Sequence, residues 1–370
     1  MHIVSFDIPW PADYGGVIDV FCKVKALSEA GVQITLHCFE YGRTHSHELE
    51  KLCGKVYYYP RKGGLIQWLS GLPYIVAGRR SEELTQNLLK NSSPILFEGL
   101  HCCALISDPR LANRNKFVRM HNIEHDYYSS LADKERSFLK RIYFRKESAR
   151  LKKFEACLKF ATKVLAISEK DKRELSLRYE NVICLPAFHP DETVFRGGQK
   201  HGYALYHGNL SVGENDEAAL FLVREVFSKL KHPLRIAGRS PSSELRNEVK
   251  HFTHISLYSD LTSDQIREVV RNASVNILPT FQPTGIKLKL LSALYNGGHC
   301  LVNTPMIAET GLDELCVIAD SAEAFCKSVN ELMEKPYSKE EIQKREAVLQ
   351  RTWSNQNNAQ RLISLLQQNP

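Results

Sequence analysis

Short apolar runs of strand length alternate with amphipathic segments of helix length along most of the sequence. HIVSF (2–6) is followed by the loop PADYGG, then by VIDVFCKVKALSEAG (17–31), a helix pattern that ends on Gly31, then by VQITLHCF. KVYYYP, PILFEGL, KFVRMHN and KVLAIS continue the series. In ISEKDKREL, Ser168 precedes Asp171 by three residues, the spacing of a capped helix start. The segment PAFHPDETVFRGGQKHG (186–202), rich in Pro, Gly and polar residues, breaks the pattern, and YALYHGN then restarts it. PLRIAGR, HISLYSDL, VNILPTF and HCLVNT follow as strands with helical segments between them, and a final helical run covers about 339–368. Strands that alternate with helices build parallel sheets, so the expected class is α/β with two doubly wound, Rossmann-like domains and a cleft between them. The expected boundaries are 1–188 for the first domain and 189–202 for a linker. The second domain takes 203–345, and a C-terminal helix over 346–370 packs back on the first domain.

At 370 residues the chain is too long for one ordinary core, which agrees with two domains. With 43% hydrophobic and 25% charged residues the composition is that of a water-soluble globular protein. The ten cysteines show no C-x-x-C spacing and sit mostly in apolar runs, so they read as reduced core residues of a cytoplasmic protein. The N-terminus has neither the basic nor the long apolar region of a signal peptide, and no apolar run is long enough to span a membrane. Charge is concentrated. Residues 129–163 hold eleven Lys/Arg and four Asp/Glu, a net +7 that equals the net charge of the whole chain. Leu131, Phe138, Ile142, Leu151, Phe154 and Leu158 recur there at helical spacing, so the segment reads as one or two basic amphipathic helices. Such helices are either a solvated face or a surface for anionic lipid head groups at the inner face of the membrane. Nothing in the sequence resembles a nucleic-acid-binding motif.

TGIKLKLLSALYNGGHCLVNTP (284–305) follows the strand VNILPTF and reads as a helix that ends at Asn296-Gly297-Gly298. Ligands of such sheets bind at the carboxyl ends of the strands, where this helix starts. A helix start offers free N–H groups and a positive dipole end, and Gly285 lets a ligand approach the backbone. Lys287 and Lys289 in the first turn oppose the dipole; they are either ordinary surface lysines or partners of an anion bound there. Gly15-Gly16, between the first strand and its helix, is either a tight turn or a loop that a ligand approaches. His121, after KFVRM, lies at a strand end, either hydrogen-bonded within its loop or facing a ligand. Glu98 lies at another strand end, and His125 and Glu124 are candidate acid–base groups.

The block ILPT-x4-GIKLKLLSALYNGGHCLVNT resembles the donor-binding block of retaining, nucleotide-sugar-dependent glycosyltransferases of the GT-B superfamily, in the family 4 (group 1) branch. DYGG (13–16), RMHNIEHDYY (119–128), LAISEKDK (165–172), LYHGNLS (205–211), IAGRSP (236–241) and RTWSNQNNAQRLISLL (351–366) resemble further blocks of that family in the family's order. The resemblance implies a GT-B fold and transfer of a sugar from a nucleotide-diphosphate donor to a glycan or lipid-linked acceptor, with retention, in bacterial surface polysaccharide biosynthesis. It implies that His121 contacts the transferred sugar and that Lys287 stabilises the leaving diphosphate; these two are the catalytic candidates. It implies that Gly15, Gly16, Asn209, Arg239, Thr284, Gly285, Ile286 and Ser292 bind substrate; Glu98, from its place at a strand end, and His125, from its place beside the same site, are further substrate-binding candidates. Thr284 and Ser292 stand where many members carry two glutamates eight residues apart. Asn209 and Glu214 stand where many carry an Arg and, five residues on, a Lys. These departures support a second reading, a GT-B protein that binds or scaffolds in glycan assembly without transfer; a sugar-nucleotide epimerase is a third. The metal-binding D-x-D of the other glycosyltransferase fold is absent, so neither a metal nor another cofactor is expected.

Overall fold

The computed structural model describes residues 1–135, 137–197, 201–281 and 288–367. The chain forms two compact units, one of residues 1–190 with the chain from Thr352, the other of the intervening residues up to Arg351.

In the first unit seven parallel strands lie in the order β3-β2-β1-β4-β5-β6-β7. They are β1 His2–Ser5, β2 Thr35–Glu40, β3 Lys55–Pro60, β4 Ile95–Glu98, β5 Lys116–Met120, β6 Lys163–Ala166 and β7 Val182–Cys184. Every residue of β1, β4 and β5 is buried, as a strand with helices on both faces of its sheet must be. That double burial is why these strands read as continuous apolar runs. One face packs Val4, Phe97, Val118 and Val164 against Leu84, Leu151 and Leu158. The other packs Ile3, Leu96, Phe117 and Leu165 against Val20 and Leu27 of the helix Gly15–Glu29 and against Ala359 and Leu362 of the terminal helix Asn355–Gln367. The final helical run is therefore two helices, Lys339–Trp353 and Asn355–Gln367.

The second unit repeats the plan with six parallel strands in the order β10-β9-β8-β11-β12-β13. They are β8 His201–His207, β9 Leu234–Ala237, β10 Ile255–Tyr258, β11 Ala273–Leu278, β12 His299–Val302 and β13 Val317–Ile318. The buried Arg345 donates to the carbonyls of Gly297 (2.6 Å) and Gly298 (2.8 Å), tying the helix Lys339–Trp353 to the turn before β12. In both sheets the strand order reverses once, between β1 and β4 and between β8 and β11. Loops leave in opposite directions at such a switch, which opens a crevice at the carboxyl ends of those two strands. All ten cysteines are free thiols. No helix among the described residues is long and apolar enough to cross a membrane.

Candidate functional site

At the first switch point five ionisable side chains converge below the surface. Asp19 and Lys23, one turn apart on the helix Gly15–Glu29, face the sheet instead of solvent. Lys23 Nζ donates to Asp19 Oδ2 (2.9 Å) and to Glu98 Oε1 (2.8 Å) at the end of β4. Arg119, on β5, donates from Nε and Nη2 to Asp19 (3.2 and 3.1 Å) and from Nη2 to the carbonyl of Pro186 (3.1 Å). The backbone N–H of Phe188 donates to Asp19 Oδ1 (2.7 Å). His121 stands on this base: Nε2 lies 3.2 Å from Glu98 Oε2, and Nδ1 lies 3.7 Å from Asp19 Oδ2. Asp19, Lys23, Glu98 and Arg119 have no exposed surface, and His121 is 6% exposed. Burial alone would raise both carboxyls. The charges of Arg119 and Lys23 hold Asp19 far below its usual value, and Lys23 and His121 hold Glu98 down. Asp19, Glu98 and His121 each bring a ligand atom within 4.8 Å of the others, as a metal set would. Lys23 and Arg119 already neutralise the two carboxylates, so the group is balanced by its own cations.

The structure thus brings together two of the residues singled out in the sequence, Glu98 and His121. Glu98 is sealed beneath Lys23 and His121, so it reaches a ligand through His121 and not through its own carboxylate. His125 goes elsewhere. It lies in the helix Glu124–Lys134, where Nδ1 pairs with Glu155 Oε2 (3.1 Å), itself bridged to Arg178 (2.7 Å). His121 and His125 are only four positions apart, but a strand end and a helix start intervene, so the two rings diverge. Glu124 does lie near the site: its carboxylate is 3.8 Å from His101 Nδ1, in the turn after β4. Burial pushes the Glu124 carboxyl up to about 8 against the nearby Arg79, and burial with the charge of Arg79 keeps His101 neutral. The Phe6 ring packs against both His101 and His121, with centroids 5.7 and 5.6 Å apart. A Cβ on Gly16 would come within 2.8 Å of Phe6, whereas Gly15 faces open space. No side chain caps the helix start at Gly15, and its first turn carries no acid, which leaves N–H groups for an anion.

The second switch point is built differently. The helix Gly213–Phe221 begins with Glu214 and Asp216 in its first turn. Asp216 accepts from the N–H of Ser242 (3.1 Å), and Glu214 accepts a hydrogen bond from Thr280 Oγ1, just after β11. Two carboxylates at a helix start already match the dipole, so this start disfavours a further anion. Asn215 is a hub: Nδ2 donates to the Asn209 carbonyl (2.9 Å), and Oδ1 accepts from Lys289 Nζ (2.8 Å). Lys289 also lies 5.4 Å from the Tyr206 ring centroid. Asn209 Oδ1 caps its own turn by accepting from Ser211 N and Oγ (3.2 and 2.8 Å). His207, at the end of β8, is buried with Nε2 unpartnered; burial and the charge of Lys289 lower it to about 4. Arg239 is exposed just after β9. Ser292 lies in the helix Leu288–Asn296, and its carbonyl accepts from Asn296 Nδ2 (3.1 Å). Thr284, Gly285, Ile286 and Lys287 lie outside the described residues.

The loops after β8 and β9 touch backbone to backbone. A Cβ on Gly238 would sit 2.0 Å from the Gly208 carbonyl oxygen, so no side chain fits there. Gly238→Ala is expected to cost about 1–3 kcal/mol through overpacking. The urea midpoint of the variant measures this, and an unchanged midpoint would contradict the close approach.

Lys23, Asp19, Arg119, His101, Phe6, Asn215 and His207 are contributors that sequence reasoning did not single out. The available signal was charge within buried runs: Arg119 inside KFVRM, and Asp19 and Lys23 four apart inside VIDVFCKV.

Residues 202–335 match the family model of group 1 glycosyl transferases. An uncharacterized 44.6 kDa protein in the cps region of Klebsiella pneumoniae is 26% identical over 351 residues, covering 88% of this chain and 89% of that protein. Among solved structures, Anabaena HepE in complex with UDP and glucose superposes with a TM-score of 0.68 at 11% identity, over 100% of this chain and 99% of HepE. S. aureus TarM, solved with UDP, alpha-GlcNAc-glycerol and Fondaparinux, gives 0.66 at 10% identity, over 99% of this chain and 100% of TarM. The two sheets, their switch points and the structural matches give the chain the GT-B fold, and the stretch that matches the group 1 glycosyl transferase model, residues 202–335, lies in its second unit.

Proposed function

We propose that the chain transfers a sugar from a nucleoside-diphosphate donor to a glycan or lipid-linked acceptor, with retention, in the assembly of a surface polysaccharide at the inner face of the membrane. The observation that carries the reading is the pairing of His121 with Glu98 over the Lys23–Asp19–Arg119 base, at the crevice end of the first sheet. A histidine held there by buried charges presents a fixed polar edge to a sugar, and fixed dipoles stabilise developing charge without reorganising. The uncapped helix start at Gly15 adds N–H groups, and Lys287 is assigned to the leaving diphosphate. Gly16, Arg239, Thr284, Gly285, Ile286, Asn209 and Ser292 remain the proposed substrate contacts, with no metal required. The cps-region relative supports polysaccharide assembly, and the UDP in HepE and TarM supports a uridine donor.

Calorimetric titration with UDP, GDP, ADP and CMP, each with and without Mg²⁺, tests the donor site. UDP is expected to bind without magnesium. Lys287→Ala is expected to weaken it at least about tenfold, the loss of one charge-assisted contact of about 1.5–3 kcal/mol. Equal affinity in the variant would remove Lys287 from the role.

One observation favours a second reading, a binding or scaffold protein without transfer. Glu214, where family members carry a diphosphate-binding lysine, is a carboxylate bonded to Thr280. Absence of binding by all four nucleotides would select that reading.

A further inference from the structure

The sequence pattern assigns Phe138 and Ile142 to the apolar stripe of a basic helix, together with Leu151 and Leu158. The structure separates them. Leu151 and Leu158 are fully buried, but Phe138 is 64% exposed and its neighbour Leu139 is 77% exposed. They open the helix Phe138–Phe154. Beside it lies the short helix Leu65–Leu69, sequence LIQWL, which buries no residue at all. Leu65, Ile66 and Leu69 are 69, 81 and 65% exposed. The two elements adjoin: Trp68 lines one cavity with Leu139, Ile142 and Tyr143, and the Arg150 guanidinium carbon lies 5.6 Å from the Trp68 ring centroid. Single exposed apolar residues are ordinary, but a contiguous group of this kind marks an interaction surface.

The charge around this group has one sign. The helix Phe138–Phe154 carries seven Lys/Arg and a single acid, Glu147. Glu147 is 1% exposed and accepts from the N–H of Ile75 (3.2 Å), so all the outward charge of the helix is positive. Phe138, Leu139 and Ile142 head a helical stripe that Arg145, Lys146 and Lys152 continue. A second copy of the chain would set these cations against each other. An anionic bilayer meets both halves of the surface, with phosphates for the cations and an acyl boundary for the leucines.

We propose that the surface formed by residues 65–69 and 138–154 docks on an anionic lipid bilayer. Leu65, Ile66, Leu69, Phe138 and Leu139 enter the interface, while Lys140, Arg145 and Lys146 lie on head-group phosphates. The contact needs no nucleotide and no turnover, so it stands or falls apart from the transferase reading.

The test is sedimentation of the full chain with vesicles of phosphatidylcholine, alone or with about one third phosphatidylglycerol, read together with Trp fluorescence. Binding to the anionic vesicles and a blue shift that vanishes in Trp68→Ala are expected. Lys140→Gln/Arg145→Gln/Lys146→Gln should weaken binding about a hundredfold at low salt, at roughly a factor of five per cation. Leu65→Ser/Ile66→Ser/Leu69→Ser should weaken it about tenfold at both low and high salt, because apolar insertion is not screened. All six side chains are exposed, so both variants should retain the wild-type circular dichroism spectrum and UDP affinity. Equal binding to neutral vesicles, wild-type binding by the Leu65 variant, or a dimer that this variant dissociates would each overturn the proposal.

Discussion

Lys23→Met is expected to lower the free energy of unfolding by about 3–5 kcal/mol, the range found when one partner of a buried ion cluster is removed. Lys23 Nζ is the ligand that Asp19 and Glu98 share, and none of the three has exposed surface. Methionine fills a similar volume, so the loss reports charge and not a cavity. The wild-type cluster itself need not be strongly stabilising, because its attraction mostly offsets the desolvation of its members. Adding Glu98→Gln should therefore recover part of the loss, since it removes a carboxylate that the first change left uncompensated. Urea unfolding of the two variants and the wild type measures both effects. A loss below about 1 kcal/mol, or no recovery in the double variant, would contradict the buried balance of charge. The same cluster fixes an acid limit. Asp19 and Glu98 have folded-state values below their unfolded ones, so their contribution is present at neutral pH and is lost as pH falls below the ordinary carboxylate range.

The second large effect has the opposite pH sense. The Glu124 carboxyl titrates at about 8 in the folded protein against an ordinary value of 4.5. Between those values the folded chain holds a proton that the unfolded chain has released, so stability falls as pH rises. The groups around it are His101, which is neutral, Arg79, which opposes the shift, and Tyr128. Glu124→Gln keeps the shape and removes the titration. The variant should match wild type near pH 4.5 and exceed it by about 4 kcal/mol at pH 8, at about 1.36 kcal/mol per pKa unit. Melting of both proteins from pH 4.5 to 9 tests this. Parallel stability curves would mean that Glu124 ionises normally and that the pocket is wetter than its geometry implies. A carboxyl that keeps its proton at neutral pH beside His101 can donate a hydrogen bond to a hydroxyl, a role that an ionised one could not fill.

The alternation of strand and helix was legible because fully buried parallel strands leave an uninterrupted apolar signature. β1, β4, β5 and β11 were all visible as short runs. β13 was not, since its two residues, Val317 and Ile318, are 38 and 42% exposed at the edge of the sheet. The helix start at Ser168 was legible as well, because a cap is a local bond: Ser168 Oγ accepts from the N–H of Asp171 (3.1 Å).

Among the site residues, locality again divides what could be read. Strand-end position brought His121 and Glu98 into view, because a parallel sheet places its strand ends side by side whatever the loops do. Their partners were hidden. Asp19 and Lys23 are four residues apart on a helix, which in sequence is indistinguishable from a solvent-exposed ion pair. Only the packing of that helix face on β4 and β5 turns the pair inward to Glu98 and Arg119. His125 shows the reverse, a residue adjacent in sequence that packing directs to Glu155. The basic helix had both kinds of residue. Periodicity counted Phe138 and Leu151 alike, and the core accepted only Leu151. By itself, then, the sequence determined the element order, the parallel sheets and the basic segment, because these depend on burial period and local bonds. The tertiary structure decided which charges are buried, which histidine joins the site and which apolar residues stay exposed, because each depends on what lies across a gap from residues distant in the chain.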